Sequence, residues 1–167
     1  RSLAKTLVPN DIDNLKNKQI FYIIGHSGRG KTTLSAKLAA LLADTTKSNT
    51  IVLSEINNGN GQISDNLRGY ARLLNLKTSI TEKNKAPEHE FDSQKTIVDV
   101  STNLSESIES IESSKKIFGH KNVCVIMTIP GGSSNKLIGT LNKDAEKLEP
   151  IIALSKLDEC EIGPEEF

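Results

Sequence analysis

The chain of 167 residues has no tryptophan, one methionine, two cysteines and only 4% aromatic residues. No apolar run approaches the ~20 residues needed to cross a bilayer. No signal-peptide core and no lipidation site is present either. Cys124 and Cys160 form no CxxC and no metal-ligand spacing. That sets aside a disulfide-stapled fold and a zinc module, and it points to a reducing, cytoplasmic setting. An excess of either charge is also lacking: 21 Lys and Arg stand against 21 Asp and Glu. A domain that grips nucleic acid by its phosphates is usually net basic, so no strong nucleic-acid binding is expected. The chain opens on Arg1 and reads as a fragment, with length enough for one domain and a real core.

What is present is alternation. Ile20–Ile24 (IFYII), Ile51–Ile56 (IVLSEI), Thr96–Val100 (TIVDV), Val123–Ile129 (VCVIMTI) and Ile151–Leu154 (IIAL) are short apolar runs. Runs of this kind are expected of strands covered on both faces. Between them, Lys31–Ala43, Ile63–Leu74 and Leu104–Phe118 read as helices, and Ser133 or Ser134 begins another that runs to about Leu148. On the Leu104–Phe118 helix, Leu104, Ile108 and Ile111 line one side while Glu106, Glu109 and Glu112 face water. Residues 81–95 are polar and read as an exposed loop with a short turn of helix. His89 and His120 are expected to be solvated, and Cys124 to fill core. Strands alternating with helices predict an α/β fold with a parallel sheet and right-handed crossovers. Ligands of such sheets sit beyond the carboxyl ends of the strands. Residues 25–30, 57–61, 99–103, 130–132 and 155–159 therefore fall along one edge.

The first of these loops carries the sharpest signal. Gly25-His26-Ser27-Gly28-Arg29-Gly30-Lys31-Thr32 fits GxxxxGK[ST] at every fixed position, between an apolar run and a helix. Glycines let successive backbone N–H groups turn inward around phosphate oxygens. The helix that follows points its positive end at the same anion. Lys31 can neutralise the outer phosphates, the Thr32 hydroxyl can ligate Mg²⁺, and the amides from Gly28 to Thr33 complete the cradle. His26, Ser27 and Arg29 occupy the variable positions, with His26 and Arg29 expected to face solvent. The last loop, Ser155-Lys156-Leu157-Asp158-Glu159, follows a strand. A carboxylate at Asp158 can accept two hydrogen bonds from guanine N1 and N2. Adenine offers neither donor and would leave the carboxylate unpaired. The Lys156 stem can pack on the base plane.

Taken together, these segments resemble the signal-recognition-particle GTPases, most closely their flagellar FlhF branch. Gly25–Ala39 (GHSGRGKTTLSAKLA) is similar to that family's GxxGxGKTTTxAKLA. Residues 66–76 (NLRGYARLLNL) resemble the helix QLRxYAxxLGV after the second motif, and residues 155–159 (SKLDE) resemble TKLDE. The resemblance runs from about Ile20 to Gly163. It implies a P-loop NTPase of the signal-recognition-particle G-domain type over residues 20–167, truncated at its C-terminus. Residues 1–19 would be a remnant of the family's helical N domain. It implies GTP or GDP with Mg²⁺ as cofactors, Thr32 and Asp99 at the metal, and pairing of two such domains across their nucleotide faces as a homodimer or pseudo-homodimer. It also implies a part in protein targeting or flagellar placement, peripheral at the inner membrane.

The departures are as informative. Aligned without a gap, the Asp and Arg of the family's second motif, DTxR, become Asn57 and Asn60. In the third motif, DTAGR, Asp99 is kept, but glycine becomes Thr102 and arginine becomes Asn103. An amide is no base, and no Asn carries an arginine's charge. Three functions remain open on these residues. One is an active GTPase, one a nucleotide-bound assembly module without turnover, and one a small-molecule P-loop kinase. The kinase is the weakest, because only Arg29 of the four arginines falls near the phosphate loop. Arg68 is the candidate stand-in for the lost arginine if the alignment shifts.

Overall fold

The computed structural model describes residues 14–44, 50–59, 61–90, 92–131 and 145–155. The elements run β1 (Ile20–Ile24), α1 (Lys31–Ala43), β2 (Ile51–Ile56), α2 (Asp65–Leu73), β3 (Lys77–Ile80), β4 (Lys95–Val100), α3 (Leu104–Phe118), β5 (Val123–Pro130) and β6 (Ile151–Ser155). The six strands form one sheet in the order β3-β2-β4-β1-β5-β6. Every pairing is parallel. The expected α/β architecture, a parallel sheet flanked by helices, is the one found.

β1 lies between β4 and β5, so both of its edges are paired, and with helices on both faces each of its residues is 1% exposed or less. Side chains alternate across a strand. Ile20, Tyr22 and Ile24 therefore pack on one face with Val98, Val125, Met127 and Ile111 of α3. Phe21 and Ile23 pack on the other with Leu38, Ala39 and Leu42 of α1 and with Leu67 and Ala71 of α2. The two cores need both helical layers, which explains why continuous apolar runs rather than alternating ones mark these strands.

α3 departs from the expected face. Its buried residues are Ser107, Ser110, Ile111 and Ser114, and Ile108 is only half-buried. The reason lies opposite, in Tyr22. Its hydroxyl is 2.7 Å from both Ser110 Oγ and Ser114 Oγ, and it donates to the Ser110 carbonyl at 3.0 Å. A buried phenol needs such partners, and short serines let the helix approach the ring. The acidic row is not uniformly wet either. Glu106 pairs with Lys83 at 2.7 Å and Glu112 with Lys115 at 3.0 Å, while Glu109 is exposed.

β3 is an additional strand. Its sequence, Lys-Thr-Ser-Ile, is half-exposed at the sheet edge, and an edge position demands no apolar run. The segment leading to β4 is less exposed than expected, and no helix forms there among the described residues. Thr81 and Pro87 are buried. The Gln94 side chain, itself buried, donates to the Glu88 carbonyl and to Thr96 Oγ1 and accepts from the Glu90 N–H. His89 is not solvated: its ring lies 5.0 Å from that of Phe118, and burial lowers its pKa. His120 is exposed. Cys124 is buried, and its thiol is pushed up to about 11, as befits inert core. The expected helix from Ser133 or Ser134 falls mostly outside the described residues, and only its end appears, as a turn at Glu146–Leu148. Most of the expected N-domain remnant, and Cys160, also lie outside them. Among the described residues no helix is long and apolar enough to cross a membrane.

Candidate functional site

The chain leaves β1 toward β2 on one side of the sheet and reaches β5 on the other. The carboxyl end of β1 is thus the switch point at which α/β sheets open a crevice. Residues 25–30 sit there. Gly25 has φ 142, and a Cβ at this position would come 2.9 Å from the Thr128 carbonyl oxygen. Only glycine lets the loop leave the strand this close to β5. Gly30, at φ 80, turns the chain into α1 and forms its N-cap.

His26, Ser27 and Gly28 are exposed, Arg29 is half-buried and Thr33 is exposed. Lys31 is 9% exposed and folds back over the loop, donating to the carbonyls of Gly25 and His26 at 2.9 Å each. Burial lowers its pKa, and the nearby Asp99 charge opposes that shift. Thr32 Oγ1 donates to Asp99 Oδ2 at 2.5 Å. Asp99 is 1% exposed, and its Oδ1 has no hydrogen-bond partner. Burial raises its pKa to about 6, against the Thr32 hydrogen bond and the Lys31 charge, while the nearby Glu55 charge adds to the rise. A buried carboxylate oxygen without a partner is costly. It fits a site that takes a hard cation through oxygen donors. Thr32 and Asp99, the two residues expected at the metal, are therefore side by side. Among the described residues no group of three or more His, Cys, Asp or Glu is placed to hold a metal. A magnesium ion here would rely on the Thr32 and Asp99 oxygens together with those of its ligand.

The far end of β6 meets this loop. Ser155 Oγ donates to the Arg29 carbonyl at 2.9 Å, and the Gly131 N–H donates to the Ser155 carbonyl at 2.7 Å. β6 thus reaches the glycine-rich loop directly through Ser155, the first residue of SKLDE. Lys156 and Asp158 themselves lie outside the described residues. A groove of about 370 Å³ opens beside Thr32 and Thr33, walled by Asp65, Asn66, Gly69 and Tyr70 of α2.

The loop after β2 is different. Asn57 accepts from the Gly59 N–H at 3.1 Å and donates to the Gln62 carbonyl at 2.8 Å. Its side chain thus serves its own turn. Asn60 is outside the described residues. Arg68 donates to the Ile63 carbonyl at 3.0 Å and to Asp65 at 3.3 Å, so this arginine is occupied at the start of its own helix. Thr102 is 8% exposed and hydrogen-bonds only weakly, to the Asn103 carbonyl at 3.4 Å.

Two charged residues on this edge escaped the sequence reading. Glu55 is 2% exposed. Its signal was visible as the single charge in an otherwise apolar or small run, IVLSEI. Lys83 donates to Asn58 Oδ1 and to Glu106. Nothing local in residues 81–95 distinguishes it.

No protein-family model matches the chain, and no curated protein matches it in sequence. Solved structures do. The crystal structure of FlhF complexed with GTP and Mg²⁺ superposes with a TM-score of 0.61 at 17% identity, covering 86% of this chain and 57% of that one. The crystal structure of FlhF complexed with GMPPNP and Mg²⁺ gives 0.61 at 18% identity, covering 86% and 58%. The chain thus spans less than two thirds of those proteins. The six-stranded parallel sheet with its glycine-rich loop after β1 has the P-loop NTPase fold. The FlhF structures share that fold.

Proposed function

We propose that this chain binds GTP or GDP together with Mg²⁺, and that it turns GTP over slowly. The observation that carries the reading is the juxtaposition of Lys31, Thr32 and the half-unpartnered Asp99 at the end of β1. In this reading Lys31 gives up its carbonyl partners, Gly25 and His26, and turns its charge to the phosphates. The N–H groups from Gly28 to Thr33 hold phosphate oxygens, and Thr32 and Asp99 hold the cation. The bound Mg²⁺ supplies positive charge against the phosphate oxygens. Lys156 and Asp158 select guanine, a role supported by the contact of the preceding Ser155 with Arg29. The FlhF structures that resemble this chain were solved with GTP or GMPPNP and Mg²⁺.

Binding measurements with GTP, GDP, ATP and ADP, with and without Mg²⁺, test the base and the metal. Guanine forms should bind at least ~100-fold more tightly, since one unpaired buried carboxylate costs a few kcal/mol. Asp158→Asn should shift that preference toward xanthine nucleotides. Equal affinity for ATP and GTP would overturn the guanine assignment.

A second reading, an assembly module without turnover, is favoured by the self-contained Asn57 turn and by the occupied Arg68. Losing a charged transition-state donor commonly costs ~10²–10³-fold in rate. A single-turnover assay separates the two readings: a rate well below ~1 s⁻¹ but above background supports the slow GTPase, and background supports the module. In either case the triphosphate would act as the ligand that pairs two copies or two related domains, in a targeting role at the membrane. A mass that stays monomeric by light scattering with saturating GMPPNP would count against that pairing.

A further inference from the structure

Glu55 is buried, yet what meets its carboxylate among the described residues is two neutral donors. Oε2 accepts from the Ser64 N–H at 2.7 Å, and Oε1 accepts from Ser101 Oγ at 2.9 Å. Its register partner on β4 is Asp99, and the two are near enough for their charges to interact. Like charges at buried neighbouring positions oppose one another. The cation in electrostatic reach of Asp99, Lys31, spends its hydrogen bonds on loop carbonyls. A countercharge is called for, and Asp99 Oδ1, buried and without a partner, marks where it enters.

The position where the resembled family carries its second-motif Asp holds Asn57, and that amide closes its own turn. Glu55 lies two residues earlier. It stands within β2, beside its register partner Asp99, whereas position 57 lies past the end of the strand. We propose that Glu55 is a positioning residue of the divalent-cation site, supplying negative charge from its place beside Asp99. The same carboxylate ties the start of α2, through Ser64, and the segment after β4, through Ser101, to that site.

This inference rests on the nucleotide-and-magnesium reading above, and its test separates the two. The affinity of the full chain for GDP is measured across a Mg²⁺ titration for wild type, Glu55→Gln and Glu55→Asp. Gln is isosteric: its oxygen can accept from the Ser64 N–H and its amide can donate to Ser101 Oγ, so the bracket survives without the charge. The Mg²⁺ concentration giving half of the affinity gain should rise about 10-fold or more in Glu55→Gln, the usual effect of losing a group that supports a metal ligand. Affinity without Mg²⁺ should stay at the wild-type level. Glu55→Asp, which keeps the charge, should bring the midpoint back toward wild type. An unchanged midpoint in Glu55→Gln, or an equal shift in both variants, would reduce Glu55 to a structural brace and overturn the proposal. Wild-type GDP binding indifferent to Mg²⁺ would also overturn it while leaving nucleotide binding intact. A wild type that binds no nucleotide at all would remove the functional reading itself, and this one with it.

Discussion

The loop after β1 and the loop after β2 face the same edge, yet they spend their polar groups differently. In the first, the hydrogen bonds leave ligand chemistry in reserve. Lys31 is held by two carbonyls that it can exchange for an anion, and Asp99 keeps one oxygen without a partner. In the second, Asn57 and Arg68 are committed to the backbone around them. A group held by exchangeable partners can answer a ligand, whereas a group that closes its own turn must first break that turn. On the proposed reading, this contrast would let one edge bind phosphate without the charges that speed phosphoryl transfer.

Several substitutions break or sharpen this contrast. The largest effect belongs to Lys31→Ala, which removes the cation of the first loop. Affinity for GTP should fall by ~100-fold or more, since hydrogen bonds to charged groups are worth about 1.5–3 kcal/mol each. Unaltered affinity in isothermal titration calorimetry would end the phosphate-loop assignment.

Asp99 makes the next prediction, through pH. Its pKa is raised from 3.8 to about 6 in the fold. As pH rises through this window the unfolded chain releases the proton before the folded one does. The folded state therefore loses stability, by about 3 kcal/mol in all, and stays at the lower level above it. Denaturant melts of ligand-free wild type and Asp99→Asn should show this as a difference that grows between about pH 4 and 6 and then levels off. A constant difference would mean that the fold does not raise the Asp99 pKa. Adding Mg²⁺ and GDP should move the window down, because the cation competes with the proton.

Gly25→Ala should cost about 1–3 kcal/mol, because the new Cβ meets Thr128 and the residue must keep a φ that side chains disfavour. Nucleotide affinity should drop with it, and a melting temperature equal to wild type would show that the loop relaxes freely. The smallest effect is expected from Arg68→Ala. Its pair with Asp65 is exposed, at 3.3 Å, and such pairs contribute about 0–1 kcal/mol. Single-turnover hydrolysis should be unchanged, and a large drop would identify Arg68 as the catalytic cation after all.

Much of the fold was legible because the strong signals are local. Five of six strands are apolar runs, and the glycines, Lys31 and Thr32 act within eight consecutive residues. β3 was not legible, since its four residues become a strand only by pairing with β2. Nor was the serine face of α3, because Ser110 and Ser114 are buried to satisfy a tyrosine 88 and 92 residues away in the chain. Hydrophobic periodicity cannot announce a buried face made of hydroxyls.

By itself, then, the sequence determined the phosphate loop, the apolar strands and the amide substitutions at positions 57, 60 and 103, each a matter of residue type within one short segment. Only the tertiary structure decided that Thr32 meets Asp99 across 67 residues, that Ser155 seats the last strand on Arg29, and that Glu55 is buried beside Asp99. The physical reason is the parallel sheet. It aligns the carboxyl ends of strands distant in the chain, so charges that look solitary in the sequence become neighbours at a shared edge, where burial makes their interaction strong.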